Sequence, residues 1–337
     1  MKYPDCLEKG DFIGVTAPSC GIEEKAFLRY NNAVSNFESF GYKVIDTESV
    51  KRDDPRGISA RKRADEFMEL WENPDVKAII CASGGDFLCE VLDELDFEKI
   101  KSCKPKWLQG YSDITNLGFV FTTNLDIATI YGPNFKTYGM SQWHDSLKIP
   151  FRLMENEEFI QESYKKCESL DEWDNDNPYC GYNLNGDVFW KNLNGEDEIK
   201  FSGRAIGGCF DVIQNLIGTK YDKVNDYIEK YKDDGIVWFF DVFSKSTPEV
   251  FTNLWQMRNC GYFKNCNGII FGRPLFIREE YEMSFEKAVK EALNGLNIPV
   301  ILDCDIGHLA PQIAIVNGGI VEIQSSDGKG WIKNRRE

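Results

Sequence analysis

Alternation of short apolar segments with amphipathic segments in the first 135 residues constrains the fold more than any other feature. Residues 11–17 and 76–81 have the composition of buried strands, and residues 23–40 have the spacing of a helix that Gly41 ends. Ser59 precedes another run with helical spacing and is a candidate helix cap. Because parallel strands need long crossovers, this pattern predicts a Rossmann- or flavodoxin-like α/β domain whose parallel sheet is covered by helices on both faces.

The sequence pattern divides the chain into three sections. Residues 1–145 form the predicted N-terminal α/β domain. Residues 146–200 are rich in Asn, Asp, Glu and Trp and predict a linker with surface loops; the alternative is a substrate-facing lid carrying Trp173 or Trp190. Residues 201–337 predict a C-terminal α+β domain with antiparallel strands, because Asn317-Gly318 separates two apolar segments in the manner of a hairpin.

Composition narrows the possible partners. The chain has 337 residues and a net charge of −16, from 39 Lys+Arg and 55 Asp+Glu. Nucleic acid is not an expected partner, because nucleic-acid-binding proteins normally carry a basic stripe that neutralises the phosphates. No apolar run approaches the roughly 18 residues of a membrane helix, and the first residues lack the layout of a signal peptide, so we expect a cytoplasmic protein without a membrane partner. Eleven scattered cysteines without a CxxC motif predict reduced thiols.

The N-terminal section offers two candidate chemical features. Ser112, in Gly-Tyr-Ser-Asp, lies between a predicted strand and a predicted helix, where its hydroxyl would lie near the positive end of the helix. The alternative is that Ser112 only caps this helix. Gly84-Gly85 follows another predicted strand and precedes a predicted helix at 87–95. Its backbone N–H groups are suited to an oxyanion hole, and the alternative is a tight turn required by the backbone.

The C-terminal section offers a histidine and a carboxylate. His308 lies on a loop constrained by Gly307 and Pro311, where an imidazole can act as a general base, although a structural histidine is the alternative. Asp241 ends a strongly apolar strand at 236–240. An unpaired buried carboxylate is costly, so Asp241 needs a partner such as a histidine unless it faces the surface.

Metal chemistry is not expected. The chain has only two histidines, and His144 lies in a polar stretch that predicts a surface position. Asp303 and Asp305 form a possible cation pair, but no third ligand is evident near them.

These segments together resemble the LD-carboxypeptidases of serine peptidase family S66, which includes the microcin C immunity peptidases. The resemblance covers nearly the whole chain in the expected order. The matching segments are Gly10-Asp11 with Ala17-Pro18-Ser19, Ser59-Ala60 with Arg63-Ala64, 73–79, Pro105-Lys106 with 110–113, Gly207-Gly208 with Gly218-Thr219, 261–263 with Gly268 and 272–274, and Gly307-His308 with Pro311.

The resemblance implies a role for each matching residue. Ser112 would be the nucleophile, His308 the general base and Asp241 the acid of a triad, with the backbone N–H groups of Gly85 and Asp113 as the oxyanion hole. The nucleophile would lie on the first domain and its two partners on the second, so the resemblance implies an active site at the domain interface. It also implies a homodimer and a reaction that needs no cofactor.

Two departures from the family pattern bear on activity and substrate. The family's acid is a glutamate, and Asp241 is one methylene shorter; a placement error of about 1 Å can cost about 100-fold in rate. Many cell-wall enzymes of the family carry an arginine directly before the diglycine, where this chain has Ser83. The candidate substrate-binding residues are Ser83, Gly84 and Lys245, of which Lys245 could supply the missing charge or be a solvated lysine.

Three hypotheses follow. The first is a serine carboxypeptidase that cleaves a murein tetrapeptide next to its free carboxylate during cell-wall recycling. The second keeps this chemistry but acts on the amide of a microcin C-like aminoacyl nucleotide, since Ser83 departs from the cell-wall pattern and the Trp-rich linker could stack on a base. The third is a peptide-binding homologue with weakened catalysis, suggested by Asp241.

Overall fold

The computed structural model describes residues 1–52, 58–170 and 176–336 and contains two compact units. Unit 1 holds the described residues of Met1–Glu157 and Glu172–Tyr182, and unit 2 holds those of Glu158–Asp171 and Asn183–Glu337. Residues 146–200, the section predicted to be linker and loops, are divided between both units. Trp173, one of the two candidate lid residues, lies outside the described residues.

Unit 1 is built on parallel strands joined by helices. Its strands and helices are β1 (Phe12–Thr16), α1 (Phe27–Ser39), β2 (Lys43–Asp46), α2 (Ala60–Glu72), β3 (Val76–Cys81), α3 (Cys89–Leu92), α4 (Phe97–Ser102), β4 (Trp107–Gly110), α5 (Thr115–Leu125), β5 (Thr129–Tyr131) and α6 (Ile149–Met154). The strands lie in the order β5-β4-β3-β1-β2, and every neighbouring pair is parallel. The predicted parallel sheet is therefore confirmed.

Two helices of unit 1, α2 and α3, can be compared with the helix starts that the sequence predicted. Ser59 caps α2 as predicted, since its hydroxyl accepts the Lys62 N–H at 3.2 Å. The helix predicted at 87–95 is wrong in extent, because only α3 is helical there. The backbone N–H of Leu88, the N-cap residue of α3, donates to the Asp113 carboxylate at 2.9 Å.

Unit 2 contains a large mixed sheet. Its strands and helices are β6 (Ile160–Glu162), β7 (Lys166–Cys167), β8 (Gly186–Asp187), β9 (Lys191–Asn192), β10 (Glu198–Cys209), α7 (Phe210–Leu216), α8 (Val224–Lys230), β11 (Ile236–Asp241), α9 (Thr247–Asn259), β12 (Cys266–Gly272), α10 (Phe285–Ala292), β13 (Val300–Cys304), β14 (Ile315–Asn317), β15 (Ile320–Ser326) and β16 (Lys329–Arg335). The eight-stranded order is β6-β16-β15-β10-β11-β12-β13-β9. Strands β10 to β13 are parallel, and the strands on either side of them are antiparallel.

Two predictions for unit 2 are corrected by this sheet. The hairpin around Asn317-Gly318 is wrong, because β15 pairs with β10 on one side and β16 on the other. The lid carrying Trp190 is also wrong, because Trp190 is only 1% exposed and its indole N–H donates to Asp305 at 2.9 Å. The antiparallel strands expected here are present, but they flank a central group of four parallel strands.

The parallel strands of each unit place their carboxyl ends at one edge of a sheet. In unit 1, the diglycine follows β3 and Ser112 follows β4. In unit 2, Asp241 ends β11, Arg273 follows β12, and the segment carrying His308 follows β13. Carboxyl ends of parallel strands are where α/β proteins assemble their sites.

Two further expectations concern membrane-spanning helices and the oxidation state of the cysteines. Across the described residues, none of the helices combines the length and apolarity needed to cross a bilayer. All eleven cysteines are thiols and none forms a disulfide, as the sequence predicted.

Candidate active site

Ser112 stands on a strained turn between β4 and α5. Its backbone φ is +63°, a left-handed conformation that non-glycine residues seldom adopt. A short 3₁₀ segment, Ser112–Ile114, leads directly into α5; Tyr111 occupies the N-cap position of this segment, and Ile114 occupies that of α5. The alternative in which Ser112 only caps the helix is therefore wrong. Strain of this kind is retained where the surroundings impose it, and it occurs at functional turns.

The diglycine turn after β3 packs directly against this serine. A Cβ atom added to Gly84 would lie 3.1 Å from Ser112 Cβ and 3.2 Å from Ser112 Oγ, so any side chain would crowd the hydroxyl. Gly85 has a φ of +154°, and a Cβ there would lie 3.0 Å from Cys20 Cβ. Ser83, immediately before the pair, is 8% exposed. Unit 1 thus brings Ser83, Gly84 and Gly85 to the turn that carries Ser112.

The buried carboxylate of Asp113 organises the same turn. Asp113 is 3% exposed and accepts three hydrogen bonds, from the Ser19 hydroxyl at 2.5 Å, the Leu88 N–H at 2.9 Å and the Asn116 amide at 2.7 Å. Burial raises the pKa of Asp113 above its ordinary value, and the three donated hydrogen bonds oppose that rise. The carboxylate links β1, the diglycine turn and α5 around Ser112.

Asn134 fixes the residue before the serine. Its side chain is 2% exposed, and its Oδ1 accepts the Tyr111 N–H at 3.2 Å. Neither this amide nor the carboxylate of Asp113 was predicted to have a side-chain role. Ser19 belongs to the Ala17-Pro18-Ser19 segment that the sequence analysis singled out. Its partner, Asp113, cannot be deduced from one sequence, because the two residues are 94 positions apart.

Asp241 and His308 meet in unit 2. His308 Nδ1 lies 2.8 Å from Asp241 Oδ2, Asp241 is 0% exposed and His308 is 7% exposed. The alternative of a surface-facing Asp241 is therefore wrong. A carboxylate this close to Nδ1 favours the tautomer with the proton on that nitrogen, in which Nε2, on the opposite side of the ring, is the basic atom. This is the arrangement that a general base requires.

Gly307 explains how an aspartate reaches this histidine. Its φ is +94°, and an added Cβ would collide with the Asp241 carboxylate, with the Asp241 Cβ only 2.8 Å away. The loop after β13 therefore lies directly on the Asp241 carboxylate, close enough for His308 to contact it.

Aromatic and charged groups surround the pair. The Phe243 ring packs on His308, with 4.4 Å between ring centroids. The Asp211 carboxylate accepts the N–H groups of Phe243 and Ser244, each at 3.0 Å, and so holds the segment that follows β11. Lys245 lies in this segment and is half-buried. Its charge is one of the causes that lower the pKa of Glu249, behind the hydrogen bonds from Ser246.

His144 and Asp305, the two other residues that the sequence analysis considered, each have partners within their own unit. His144 is half-buried rather than exposed as predicted, and its ring caps a 3₁₀ helix by accepting the Ser146 N–H at 3.2 Å. Burial lowers the pKa of His144. Asp305, one of the two aspartates considered as a cation pair, forms an ion pair with Arg273 at 2.5 Å. The residues that the structure describes contain no cluster of three or more metal-ligating side chains.

Replacing Asp113 with asparagine tests the organising role of this carboxylate. The new amide would present N–H₂ hydrogens to donors that now meet an oxygen, so Asp113→Asn should lower the free energy of unfolding by about 1–3 kcal/mol in urea titrations. The matched control is Asp96→Asn at the exposed N-cap of α4, where Asp96 accepts the Lys99 N–H at 2.9 Å. Asparagine is an equally good cap, so this change should be nearly neutral. Equal effects of the two substitutions would contradict the role given to Asp113.

Family models match both halves of the chain. The model of the LD-carboxypeptidase N-terminal domain matches residues 13–132, and that of the LD-carboxypeptidase C-terminal domain matches residues 202–323. A curated Bacillus subtilis protein named "Probable murein peptide carboxypeptidase" is 23% identical, over 96% of this chain and 92% of its own. The microcin C7 self-immunity protein MccF of Escherichia coli is 25% identical, over 93% of this chain and 90% of its own.

Solved structures share the whole fold. An MccF-like protein from Bacillus anthracis superposes with a TM-score of 0.84 at 22% identity and covers 100% of both chains. A structure of microcin C7 self-immunity protein MccF in complex with aspartyl sulfamoyl adenosine has a TM-score of 0.79 at 22% identity, covering 99% of this chain and 98% of its own. The two domain models together span well over half of the sequence. The chain therefore belongs to the LD-carboxypeptidase family, peptidase family S66.

Proposed function

We propose that this protein is a serine-type carboxypeptidase that hydrolyses an amide next to a free carboxylate, with a murein tetrapeptide as its substrate. The observation that carries the proposal is the buried Asp241–His308 contact of 2.8 Å. A buried carboxylate against one imidazole nitrogen prepares the other nitrogen for proton transfer, and family membership supplies the peptidase chemistry.

In the proposed mechanism, His308 Nε2 takes the proton of the Ser112 hydroxyl as Ser112 Oγ attacks the amide carbonyl. The N–H groups of Gly85 and Asp113 stabilise the oxyanion, and Asp241 stabilises the imidazolium that forms. His308 then gives its proton to the leaving amine, which leaves an acyl-enzyme ester on Ser112. A water molecule, activated by the same imidazole, hydrolyses this ester and regenerates the hydroxyl.

The substrate carboxylate requires a cation. Ser83 stands where cell-wall enzymes of the family carry an arginine, so we propose that Lys245 supplies the positive charge. This lysine follows Asp241 on the segment that Asp211 holds through its hydrogen bonds to Phe243 and Ser244. Charge-assisted contacts to a terminal carboxylate would favour substrates with a free C-terminus.

Removing either reacting side chain should abolish hydrolysis. We expect Ser112→Ala and His308→Ala each to reduce kcat by about 10⁴-fold or more, because members of such a triad act as a unit. The measurement is release of the terminal D-alanine from a murein tetrapeptide, followed by mass spectrometry. His144→Ala is the matched control and should keep wild-type activity. Full hydrolysis by either of the first two variants would overturn the assignment.

Restoring the family's glutamate should impair the enzyme. Asp241 is fully buried and Gly307 lies against its carboxylate, so the extra methylene of Asp241→Glu has no space and should displace His308. We expect kcat to fall by about 10- to 100-fold. Asp234→Glu, at the opposite end of β11, is the control and should leave kcat unchanged. Higher activity in Asp241→Glu would instead support the hypothesis of a catalytically weakened homologue.

A second candidate substrate is an aminoacyl nucleotide. Two observations favour it: Ser83 departs from the cell-wall pattern, and a relative of the same fold binds aspartyl sulfamoyl adenosine. In this case the same residues would cleave the amide between the amino acid and the nucleotide.

Offering both substrates separately to wild type and Ser112→Ala decides between them. We expect the wild type to release D-alanine from the murein tetrapeptide and to leave an aminoacyl sulfamoyl adenosine intact, with mass spectrometry as the readout. Cleavage of the adenosine compound alone would move the proposal to the second candidate. Binding of either compound without turnover would support the non-catalytic homologue.

A further inference from the structure

A buried ion pair contacts the loop that carries His308, residues 305–314. Arg273 Nη1 donates to Asp305 Oδ1 at 2.5 Å, with Asp305 0% exposed and Arg273 8% exposed. Asp305 follows β13 and Arg273 follows β12, so the pair joins two neighbouring parallel strands at their carboxyl ends. Neither side chain has a part in the proposed proton transfers. Because desolvating two charges is expensive, such a pair is weak evidence for stability, and another role has to be considered.

The guanidinium bridges the two sides of the His308 loop. While Nη1 holds the Asp305 carboxylate, Nη2 donates to the Leu309 carbonyl at 2.8 Å, one residue after the histidine. The loop is closed beneath this bridge by the Ile313 N–H, which donates to the Asp305 carbonyl at 2.6 Å. Arg273 therefore spans the residues on either side of His308 with one rigid, planar group.

The other oxygen of Asp305 is fixed by two neutral donors. The Trp190 indole N–H donates to Asp305 Oδ2 at 2.9 Å, and the Tyr164 backbone N–H donates to it at 3.2 Å. A further backbone bond, from the Glu168 N–H to the Ala310 carbonyl at 2.7 Å, holds the far side of the loop. With these contacts the Asp305 carboxylate cannot rotate away from Arg273.

We propose that Arg273 and Asp305 are positioning residues that hold His308 against Asp241. The proposal rests on the proposed function only in that it takes His308 to be the general base. His308 lies in a segment, residues 305–314, that is neither helix nor strand, so the orientation of the imidazole depends on the contacts that hold this segment. A lysine at position 273 could keep the ion pair with Asp305. Its single ammonium group lacks the two separated nitrogen donors with which the planar guanidinium reaches both Asp305 and the Leu309 carbonyl.

Histidine side-chain NMR tests this without requiring activity. The chain has two histidines, and His144→Gln assigns the signals of the ¹⁵N-histidine-labelled protein. In the wild type we expect a slowly exchanging Nδ1 proton on His308, donated to Asp241. In Arg273→Lys we expect this signal to be lost or broadened. If Ser112-dependent hydrolysis is established, the kcat of Arg273→Lys should be up to about 100-fold below that of the wild type, with KM little changed.

The chain offers a matched control in the same sheet. Arg204 is 5% exposed, donates to Asp234 at 2.7 Å and to the Gly318 carbonyl at 2.6 Å, and so makes the same kind of brace. It pairs with Ile236 at the start of β11, whereas Asp241 ends that strand. We expect Arg204→Lys to keep the His308 signal even if its thermal midpoint falls as much as that of Arg273→Lys.

Several outcomes would overturn the inference. The first is that the wild type shows no slowly exchanging Nδ1 proton on His308. The second is that Arg273→Lys keeps this signal, and the third is that Arg204→Lys loses it equally. If Arg273→Lys fails to fold, Trp190→Phe removes one hydrogen bond to Asp305, together with part of a buried ring, and should speed exchange of the His308 Nδ1 proton. An unchanged exchange rate would again overturn the inference. Loss of the signal in Arg273→Lys, with a wild type inactive on every substrate, would support the positioning role and overturn the proposed function.

Discussion

The contact between Asp241 and His308 is the constraint that the end of β11 and the loop after β13 have to satisfy in unit 2. A fully buried carboxylate at the end of an apolar strand is tolerated only if a partner reaches it. Here the partner comes from the loop after β13, and the contact requires a residue without a side chain at position 307, where the loop lies on the carboxylate. Gly307, Asp241 and His308 therefore depend on one another.

Each unit satisfies a buried carboxylate by a different chemistry. Asp113 accepts only neutral donors, from Ser19, Leu88 and Asn116, and these tie three elements to the turn that carries Ser112. Asp305 is neutralised by an arginine that also holds a backbone carbonyl. Hydrogen bonds to charged groups are the stronger ones, and an unsatisfied charge is costly, so such residues fix the backbone around them. In both units the fixed backbone belongs to a proposed catalytic side chain.

Sequence reasoning succeeded where the signal was local and periodic. The apolar segments and helical spacing of unit 1 predicted its parallel sheet, and Ser59 caps the predicted helix. It failed at the Asn317-Gly318 hairpin, because β15 pairs with the distant β10 and with β16, the strand that follows it, and leaves no edge for β14. It also failed for Trp190, since an aromatic residue in a polar stretch carries no sign of the buried acceptor that it meets 115 positions away.

The sequence by itself determined the strand–helix alternation, the family and the candidate residues Ser112, Asp241 and His308, because these depend on short motifs and on periodicity. Only the tertiary structure decided that Asp241 lies 2.8 Å from His308 and that Asp305 pairs with Arg273. Both answers depend on how closely a loop and a strand end approach each other. That approach is set by long-range packing and backbone conformation, which no local pattern in the chain encodes.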